Sequence, residues 1–169
     1  TLILANSELP DPLGIRCIRV STAEEMFSQV EKEFDQCDLL VMSAAVADAK
    51  PSQVSQTKIK KGALTSIELA SNPDIVATVA SRKKSQIVIA FAAETSLDIE
   101  EGKRKLLSKS ADILFLNDVA ANEIFGSDQN QGVILIAGKA GSVQEINVDR
   151  TDKDTLADLL LDQALHRLG

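Results

Sequence analysis

Short apolar runs and apolar–polar alternation predict a series of strands along this chain. An uninterrupted apolar run of strand length is typical of a strand covered on both faces, whereas alternation is typical of a strand covered on one face. Leu39–Val46 is such a run and is expected to form a central strand. The predicted strands are Thr1–Ala5, Ile15–Val20, Leu39–Val46, Leu64–Leu69, Gln86–Ala93 and Ala111–Leu116.

Between these strands apolar positions recur at helical spacing, and capping residues mark the predicted helix starts. Ser21–Glu24 has the pattern of a capping box, and Pro73 suits the first position of a helix capped by Ser71 or Asn72. The buried stripe of the first helix is predicted to be Met26, Val30 and Phe34. The predicted helices extend from Ser21 to about Asp35, from Ser71 to about Arg82, from about Leu97 to Ser110, and from Arg150 to Leu168.

The C-terminal part of the chain departs from this alternation. Gly132–Ala137 and Ser142–Val148 predict a β-hairpin, and the helix after it carries Leu156, Leu160 and Ala164 on one face. Alternating strands and helices imply a parallel sheet with right-handed crossovers. We therefore expect an α/β fold in three layers, with a mainly parallel central sheet and a C-terminal β-hairpin and helix, as a single domain over residues 1–169.

Composition and charge narrow the function classes. The 169 residues are 44% hydrophobic and 25% charged, as in ordinary globular proteins, and the net charge of −7 argues against binding of a nucleic-acid backbone. Cys17 and Cys37 lie in or beside apolar segments and are expected to be buried, reduced thiols. His166 is the only histidine, so a zinc site is not expected. No apolar stretch reaches membrane-spanning length and no signal peptide opens the chain, which predicts a cytoplasmic protein.

Polar residues follow three of the predicted strands directly. They are Ala47–Asp48, Glu94–Thr95 and Asn117–Asp118. Ligands of parallel α/β sheets bind at the carboxyl ends of the strands, so these residues mark the expected site. Asp48 could hold a nucleotide hydroxyl, a base amino group or a metal, or it could only form a turn. The helix start at Asn72–Ile75 could receive an anion, or it could only be capped.

Two groups of lysines are candidates for phosphate binding. Lys58, Lys60 and Lys61 lie at the end of a polar loop, Ala47–Gly62, and long loops in compact domains are often functional. Lys105 and Lys109 are four residues apart and share one face of a predicted helix. Both groups could equally be solvated surface charges. The chain contains neither a GxxxxGK[ST] loop nor a GxGxxG fingerprint, so a nucleotide would be held in another way.

Several short motifs follow one another along the chain. They are Ala44–Asp48 with Pro51, Lys58–Lys61, Asn72–Ile75, Phe91–Thr95, the lysine pair on a helix, and Leu116–Asp118 followed by Phe125–Asn130. Each motif is weak alone, but their order is specific and covers nearly the whole chain. Taken together, the ordered motifs resemble the phosphopantothenoylcysteine synthetase (phosphopantothenate–cysteine ligase) domain of the bacterial CoaBC (Dfp) family.

The resemblance implies a Rossmann-like fold and a step of coenzyme A biosynthesis. It implies that CTP activates the carboxylate of 4'-phosphopantothenate as an acyl-cytidylate, that L-cysteine then displaces CMP, and that Mg²⁺ or another divalent cation assists. It also implies a homodimer and a fused or partner phosphopantothenoylcysteine decarboxylase, a flavoprotein.

By the same resemblance, individual positions acquire roles. Lys58 is the residue implicated in catalysis, Lys60 and Lys61 belong to a flap over the site, and Ala44 and Ala45 line the pocket of the acyl intermediate. The positions implied to bind the nucleotide are Asp48, Lys58, Asn72, Pro73, Asp74, Ile75, Phe91, Lys105 and Lys109.

Three departures from the family pattern keep other readings open. Ala49 stands where members carry a bulkier residue, and Ala90 stands where they usually carry Gly. The Gly-rich strand and helix with which the family opens are not in the sequence, which begins at what resembles the second strand. The alternatives are a degenerate, non-catalytic nucleotide-binding or dimerisation module of the same fold, and an unrelated Rossmann-like binder.

Overall fold

A computed structural model describes residues 1–62, 66–119 and 128–168, which form two compact units. The first unit comprises residues 1–32 and 45–75, and the second comprises residues 33–44 and those from Val76 onward. The elements are β1 (Leu2–Ala5), β2 (Cys17–Val20), α1 (Ala23–Phe34), β3 (Leu39–Met42), β4 (Ala49–Pro51), β5 (Leu69–Ser71), α2 (Ile75–Ala80), β6 (Ile87–Glu94), α3 (Ile99–Ser108), β7 (Ile113–Asp118), β8 (Gln129–Ala137), a 3₁₀ turn (Lys139–Gly141), β9 (Val143–Asp152) and α4 (Lys153–Leu168).

A five-stranded sheet organises the second unit, in the order β3-β6-β7-β8-β9. The pairs β3–β6 and β6–β7 are parallel, whereas β7–β8 and β8–β9 are antiparallel. The predicted C-terminal hairpin is therefore confirmed, although its strands are longer than expected. The expected α/β fold, with parallel strands at the centre followed by a hairpin and a helix, is confirmed as well.

Alternating side chains of the sheet build a core on each face. Ile113 and Phe115 point to one face with Ile134, and this cluster packs against α4 through the three predicted residues Leu156, Leu160 and Ala164. Leu116 and Leu135 point to the other face, where α3 approaches so closely that a Cβ on Gly102 would lie 2.8 Å from Leu135. Helices on both faces of one sheet give the predicted three layers.

The buried carboxylate of Asp112 joins three elements of the second unit at the start of β7. It accepts a hydrogen bond from the Val88 backbone N–H at 2.9 Å and from Lys83 Nζ at 2.6 Å. Arg167 of α4 contacts its other oxygen at 3.5 Å. Because Asp112 is only 7% exposed, these partners satisfy a charge that would otherwise be costly to bury.

The first unit contains two small sheets. Strands β1 and β2 pair in parallel, and Arg19 of β2 fixes the preceding loop through the carbonyl oxygens of Ser7 and Leu9 and the carboxylate of Asp11. Strands β4 and β5 form an antiparallel ribbon. The polar loop predicted over residues 47–62 is therefore partly strand, because its first residues find a backbone partner in β5 that spacing alone does not reveal.

Two predicted element boundaries in the first unit were wrong. The capping box uses Thr22 and Glu25, one residue later than predicted: Thr22 Oγ1 accepts from the Glu25 N–H, and Glu25 Oε2 accepts from the Ser21 N–H. Glu24 forms an ion pair with Lys50 instead. The strand predicted from Leu64 begins at Leu69, and residues 64 and 65 lie outside the described residues.

The position of β3 in the sheet and the bounds of three elements of the second unit were also predicted wrongly. In the described part of the chain, β3 is an edge strand rather than a central one, and Val41 is 44% exposed. It ends at Met42, because the Ser and Ala residues that follow add little apolar surface to hold a strand. Helix α2 ends at Ala80 and α4 begins at Lys153, so both are shorter than predicted.

Other expectations were confirmed. Met26, Val30 and Phe34 are buried, and Cys17 and Cys37 are free thiols, although both cysteines are only half-buried and not buried as expected. Burial raises the pKa of the Cys37 thiol. Among the helices in the described ranges, none is both long and apolar enough to cross a bilayer.

Candidate functional site

In the first unit, the structure brings Asp48 and Asn72 together. Asp48 immediately precedes β4 and Asn72 immediately follows β5, and the Asn72 N–H donates to the Asp48 carbonyl oxygen at 2.8 Å. The Asn72 side chain also donates through Nδ2 to the carbonyl oxygen of Ala47 at 2.8 Å. These two predicted nucleotide-binding residues therefore meet at one end of the ribbon, although they are distant in sequence.

The side chain of Asn72 is not the helix cap that the sequence suggested. Its Oδ1 is buried and has no hydrogen-bond partner within the described ranges, and Ser71, the other suggested cap, ends β5. Pro73 and Asp74 connect β5 to α2, and Ile75 is the buried first residue of this six-residue helix. A buried acceptor without a partner is unfavourable unless an N–H or O–H group of another molecule reaches it.

The predicted flap lysines extend into solvent. We call β4, β5 and the connection between them the arm. The connection carries Lys58, Lys60 and Lys61, and no described residue from Ala47 to Gly62 is buried. The arm surrounds an open cleft of about 900 Å³. Its lining is mostly hydroxyl-bearing and apolar and includes none of the predicted site residues, so we do not assign the nucleotide to this cleft.

In the second unit, several polar side chains lie at the carboxyl ends of β6 and β7. We call Glu94, Lys105, Asn117, Asp118, Asn130 and Gln131 the strand-end cluster. Glu94 and Asp118 are directly opposite in the parallel ladder, and Lys105 of α3 forms an ion pair with Glu94. Lys109 follows the last residue of α3 as its C-cap.

Sequence reasoning did not single out Gln131, and it named Asn130 only as the last residue of the Phe125–Asn130 motif. Gln131 donates to Asp118 Oδ2 at 3.1 Å, and Asn130 donates to Asn117 Oδ1 at 3.4 Å. Asn130 Oδ1 is buried without a partner in the part of the chain that the structure describes. The predicted hairpin began at Gly132, so only the longer β8 of the folded chain reveals these contacts. Residues 125–127 of the predicted Phe125–Asn130 motif lie outside the described residues.

The remaining predicted positions have distinct surroundings. Phe91 is half-buried on the α4 face of the sheet, and its ring meets that of Phe115 edge to face at a centroid distance of 6.0 Å. Ala44 and Ala45 are exposed in the segment after β3. They are not within a strand as predicted, and they belong to different units.

No three His, Cys, Asp or Glu side chains converge as a metal site within residues 1–62, 66–119 and 128–168. The oxygen donors that the cluster does contain are the carboxylates of Glu94 and Asp118 and the amide oxygens of Asn117, Asn130 and Gln131. Such oxygens are the ligands that Mg²⁺ prefers.

Comparisons with known proteins agree on one family. Residues 1–168 match the model of the DNA/pantothenate metabolism flavoprotein C-terminal domain. The chain is 36% identical over 167 residues to the coenzyme A biosynthesis bifunctional protein CoaBC of Vibrio cholerae, covering 95% of this chain and 40% of that protein. It is 38% identical over 152 residues to the protein of the same name from Bacillus subtilis, covering 87% and 36%. This chain thus spans about two fifths of the length of these relatives.

Solved structures give the same result. The C-terminal domain of a coenzyme A biosynthesis bifunctional protein CoaBC superposes with a TM-score of 0.70 at 27% identity, covering 98% of this chain and 72% of that one. The DNA/pantothenate metabolism flavoprotein from Streptococcus pneumoniae superposes with a TM-score of 0.72 at 18% identity, covering 98% and 80%, which shows a shared fold. Since the family model spans nearly every residue, the chain belongs to the family of DNA/pantothenate metabolism flavoprotein C-terminal domains.

Proposed function

We propose that this chain is a phosphopantothenate–cysteine ligase domain that acts in coenzyme A biosynthesis. The match of residues 1–168 to a pantothenate-metabolism domain family carries the proposal. The relatives named as coenzyme A biosynthesis proteins support it, as does the meeting of Asp48 and Asn72.

The proposed reaction has two steps. A carboxylate oxygen of 4'-phosphopantothenate attacks the α-phosphorus of CTP, the bond from that phosphorus to the bridging oxygen breaks, and pyrophosphate leaves. The amine of L-cysteine then attacks the acyl carbon of the acyl-cytidylate. The bond from this carbon to the phosphate oxygen breaks, CMP leaves with the electron pair of that bond, and the amine proton passes to solvent. Activation is needed because a free carboxylate has no good leaving group for an amine to displace.

In the first unit, we assign nucleotide contacts to Asp48 and Asn72 and to the connection Pro73–Ile75. The unpaired Asn72 Oδ1 supports this assignment, since an amino or hydroxyl group of a nucleotide would supply the missing donor. Lys58 would offset charge on the reacting phosphate during turnover of the acyl-cytidylate. Lys60 and Lys61 would belong to a flap that closes over the bound substrate.

In the second unit, we assign Lys105 and Lys109 to the triphosphate and Phe91 to the nucleotide. Ala44, the last residue of the segment 33–44 of this unit, and Ala45, which follows it in the chain, would contribute backbone to the pocket of the acyl intermediate. The nucleotide would enter as its Mg²⁺ complex, in which the metal offsets phosphate charge. Mg²⁺ is commonly held by one or two carboxylates with phosphate oxygens and water, and Asp118 offers such a carboxylate.

Replacement of Lys58 tests the proposal most directly. In Lys58→Gln, loss of the ammonium group should slow conversion of the acyl-cytidylate to the cysteine adduct by about 100-fold. Pyrophosphate release in the absence of cysteine should be less affected, so the intermediate should accumulate. Rapid quench with labelled CTP and 4'-phosphopantothenate would measure both steps. Lys139→Gln, at an exposed lysine in the β8–β9 turn, is the matched control.

The outcomes separate the rival functions. Nucleotide binding without any pyrophosphate release would favour the degenerate, non-catalytic module. Release of ADP, or of nicotinamide products, instead of CMP would contradict the proposed reaction. Normal turnover by Lys58→Gln would remove Lys58 from the mechanism while leaving the ligase activity in place.

We also propose the expected partners and location. The domain would be cytoplasmic and homodimeric, and it would work beside a fused or separate phosphopantothenoylcysteine decarboxylase. The word bifunctional in the names of the relatives, together with the two fifths of their length that this chain covers, supports a fused second domain. Strand β9, an edge of the described sheet, offers backbone groups for pairing between copies. Light scattering that shows only a monomer would contradict the dimer.

A further inference from the structure

We infer that Glu94 is a positioning residue that holds the Lys105 ammonium group ready for a nucleotide phosphate. This inference rests on the proposed function, and it assigns a role to a residue that had none. Glu94 is not expected to touch the nucleotide. It acts through its ion pair with Lys105 in the strand-end cluster.

The backbone of Glu94 is fixed on both sides. It is the last residue of β6, it lies opposite Asp118 in the parallel ladder, and its carbonyl oxygen accepts from the Val119 N–H at 2.9 Å. Its side chain is only 25% exposed. The carboxylate is therefore presented from a rigid strand end and not from a loop.

Lys105 is carried by an equally rigid element. The neighbouring Leu106 is fully buried, and Gly102, one turn earlier, lies directly against Leu116 and Leu135 of the sheet. The ion pair thus joins two elements whose backbones are fixed by the core, and only the lysine side chain itself needs to be ordered.

Ordering that side chain in advance favours binding. A lysine loses much rotamer freedom when it is fixed, and this loss weakens binding if it occurs only when the ligand arrives. An ammonium group has three N–H donors, so one hydrogen bond to Glu94 leaves two for phosphate oxygens.

The negative charge of Glu94 acts in the opposite direction, because it repels phosphate. The pair is partly exposed, with Lys105 at 35%, and water and salt screen this repulsion. Water and salt do not, however, reduce the rotamer entropy that a disordered lysine would lose when the nucleotide binds. We therefore expect the net effect of Glu94 on nucleotide affinity to be favourable.

The experiment is a double-mutant cycle on Glu94 and Lys105, read out as CTP affinity by calorimetry and as kcat and KM of the ligase reaction. Glu94→Ala should raise Kd and KM for CTP by about fivefold, with little change in kcat. Glu94→Gln, which keeps an acceptor for Lys105, should recover most of the affinity. In a Lys105→Met background, Glu94→Ala should have no further effect on affinity.

A second ion pair on the same helix provides the control. Lys103 of α3 contacts Glu145 of β9 at 2.9 Å and Glu100 at 2.6 Å, so Glu145→Ala removes an α3–sheet ion pair outside the strand-end cluster while Lys103 keeps Glu100. CTP affinity should then stay at the wild-type value. Thermal melts of every variant identify a loss of folding, and Glu94→Gln remains informative if Glu94→Ala does not fold.

The results distinguish this inference from the function on which it rests. Unchanged or tighter CTP binding by Glu94→Ala, or an equal effect of Glu94→Ala in the presence and absence of Lys105, would overturn the role of Glu94 alone. A wild-type protein that neither binds nor consumes a nucleoside triphosphate would overturn the proposed function and this inference together.

Discussion

The sheet of the second unit and the arm of the first unit hold their lysines in opposite ways. Lys105 lies on a helix packed against a buried sheet and is engaged by Glu94. Lys58, Lys60 and Lys61 lie on a connection in which no side chain from Ala47 to Gly62 is buried. Packing against buried residues therefore distinguishes Lys105, whose position is fixed, from the arm lysines, which few contacts restrain.

This difference agrees with the proposed roles of the two groups, which are phosphate binding by Lys105 and closure of a flap that carries the arm lysines. A lysine that binds the same phosphates in every cycle gains from a fixed position, whereas a lysine on a flap must allow substrates to enter and products to leave. The following predictions test whether burial is what distinguishes the two regions, beginning with the largest expected effect.

Truncation of one side chain in each region should give very different losses of stability. Phe115 is fully buried between the sheet and α4, so Phe115→Ala should lower the free energy of unfolding by about 3–5 kcal/mol through lost burial and a cavity. Val54 on the arm is 78% exposed, so Val54→Ala should change it by less than about 0.5 kcal/mol. Urea denaturation measures both. Similar losses would show that the arm is packed in solution.

The loss of stability caused by removing an ion pair should likewise depend on how buried the pair is. Asp112→Asn leaves the Lys83 ammonium group without its buried counter-charge and should cost about 2 kcal/mol. Asp11→Asn is the matched control, because Asp11 and Arg19 are both about half exposed and such pairs contribute about 0–1 kcal/mol. Chemical denaturation of the two variants at one ionic strength measures the contrast. An equal cost would contradict burial as its cause.

The smallest expected effect is a pH dependence of stability that arises at an exposed residue of the second unit. Asp152 caps α4, where the Thr155 N–H donates to it at 2.7 Å and the Thr155 hydroxyl at 2.9 Å, and these bonds lower the pKa of Asp152 below its ordinary value of 3.8. The unfolded chain therefore takes up the proton first, so this contribution is present above pH 3.8 and is lost as the pH falls through the lowered pKa.

Asp152→Asn keeps a capping acceptor but cannot titrate. The melting temperature of the wild type should consequently fall slightly more than that of Asp152→Asn between pH 5 and pH 2, as recorded by circular dichroism. Parallel pH profiles for the two proteins would show that the cap bonds do not depend on the carboxylate charge.

Much of the fold could be predicted because its signals are local. The stripe of Met26, Val30 and Phe34 and the face of Leu156, Leu160 and Ala164 follow from helical periodicity, and all six residues are buried as expected. Boundaries that depend on partners distant in sequence were predicted less well. Strand β4 needs β5 as its partner, and β3 ends where apolar residues that would hold it in place are lacking.

By itself, the sequence determined the order of strands and helices apart from β4, the helix faces that enter the core, and the family, because periodicity and ordered motifs are properties of the chain. Only the tertiary structure decided that Asp48 meets Asn72, that Glu94 engages Lys105, and that Gln131 reaches Asp118. The physical reason is tertiary packing, which residue spacing does not specify. Strand register brings Asp48 to Asn72 and Gln131 to Asp118, whereas the packing of α3 on the sheet brings Lys105 to Glu94.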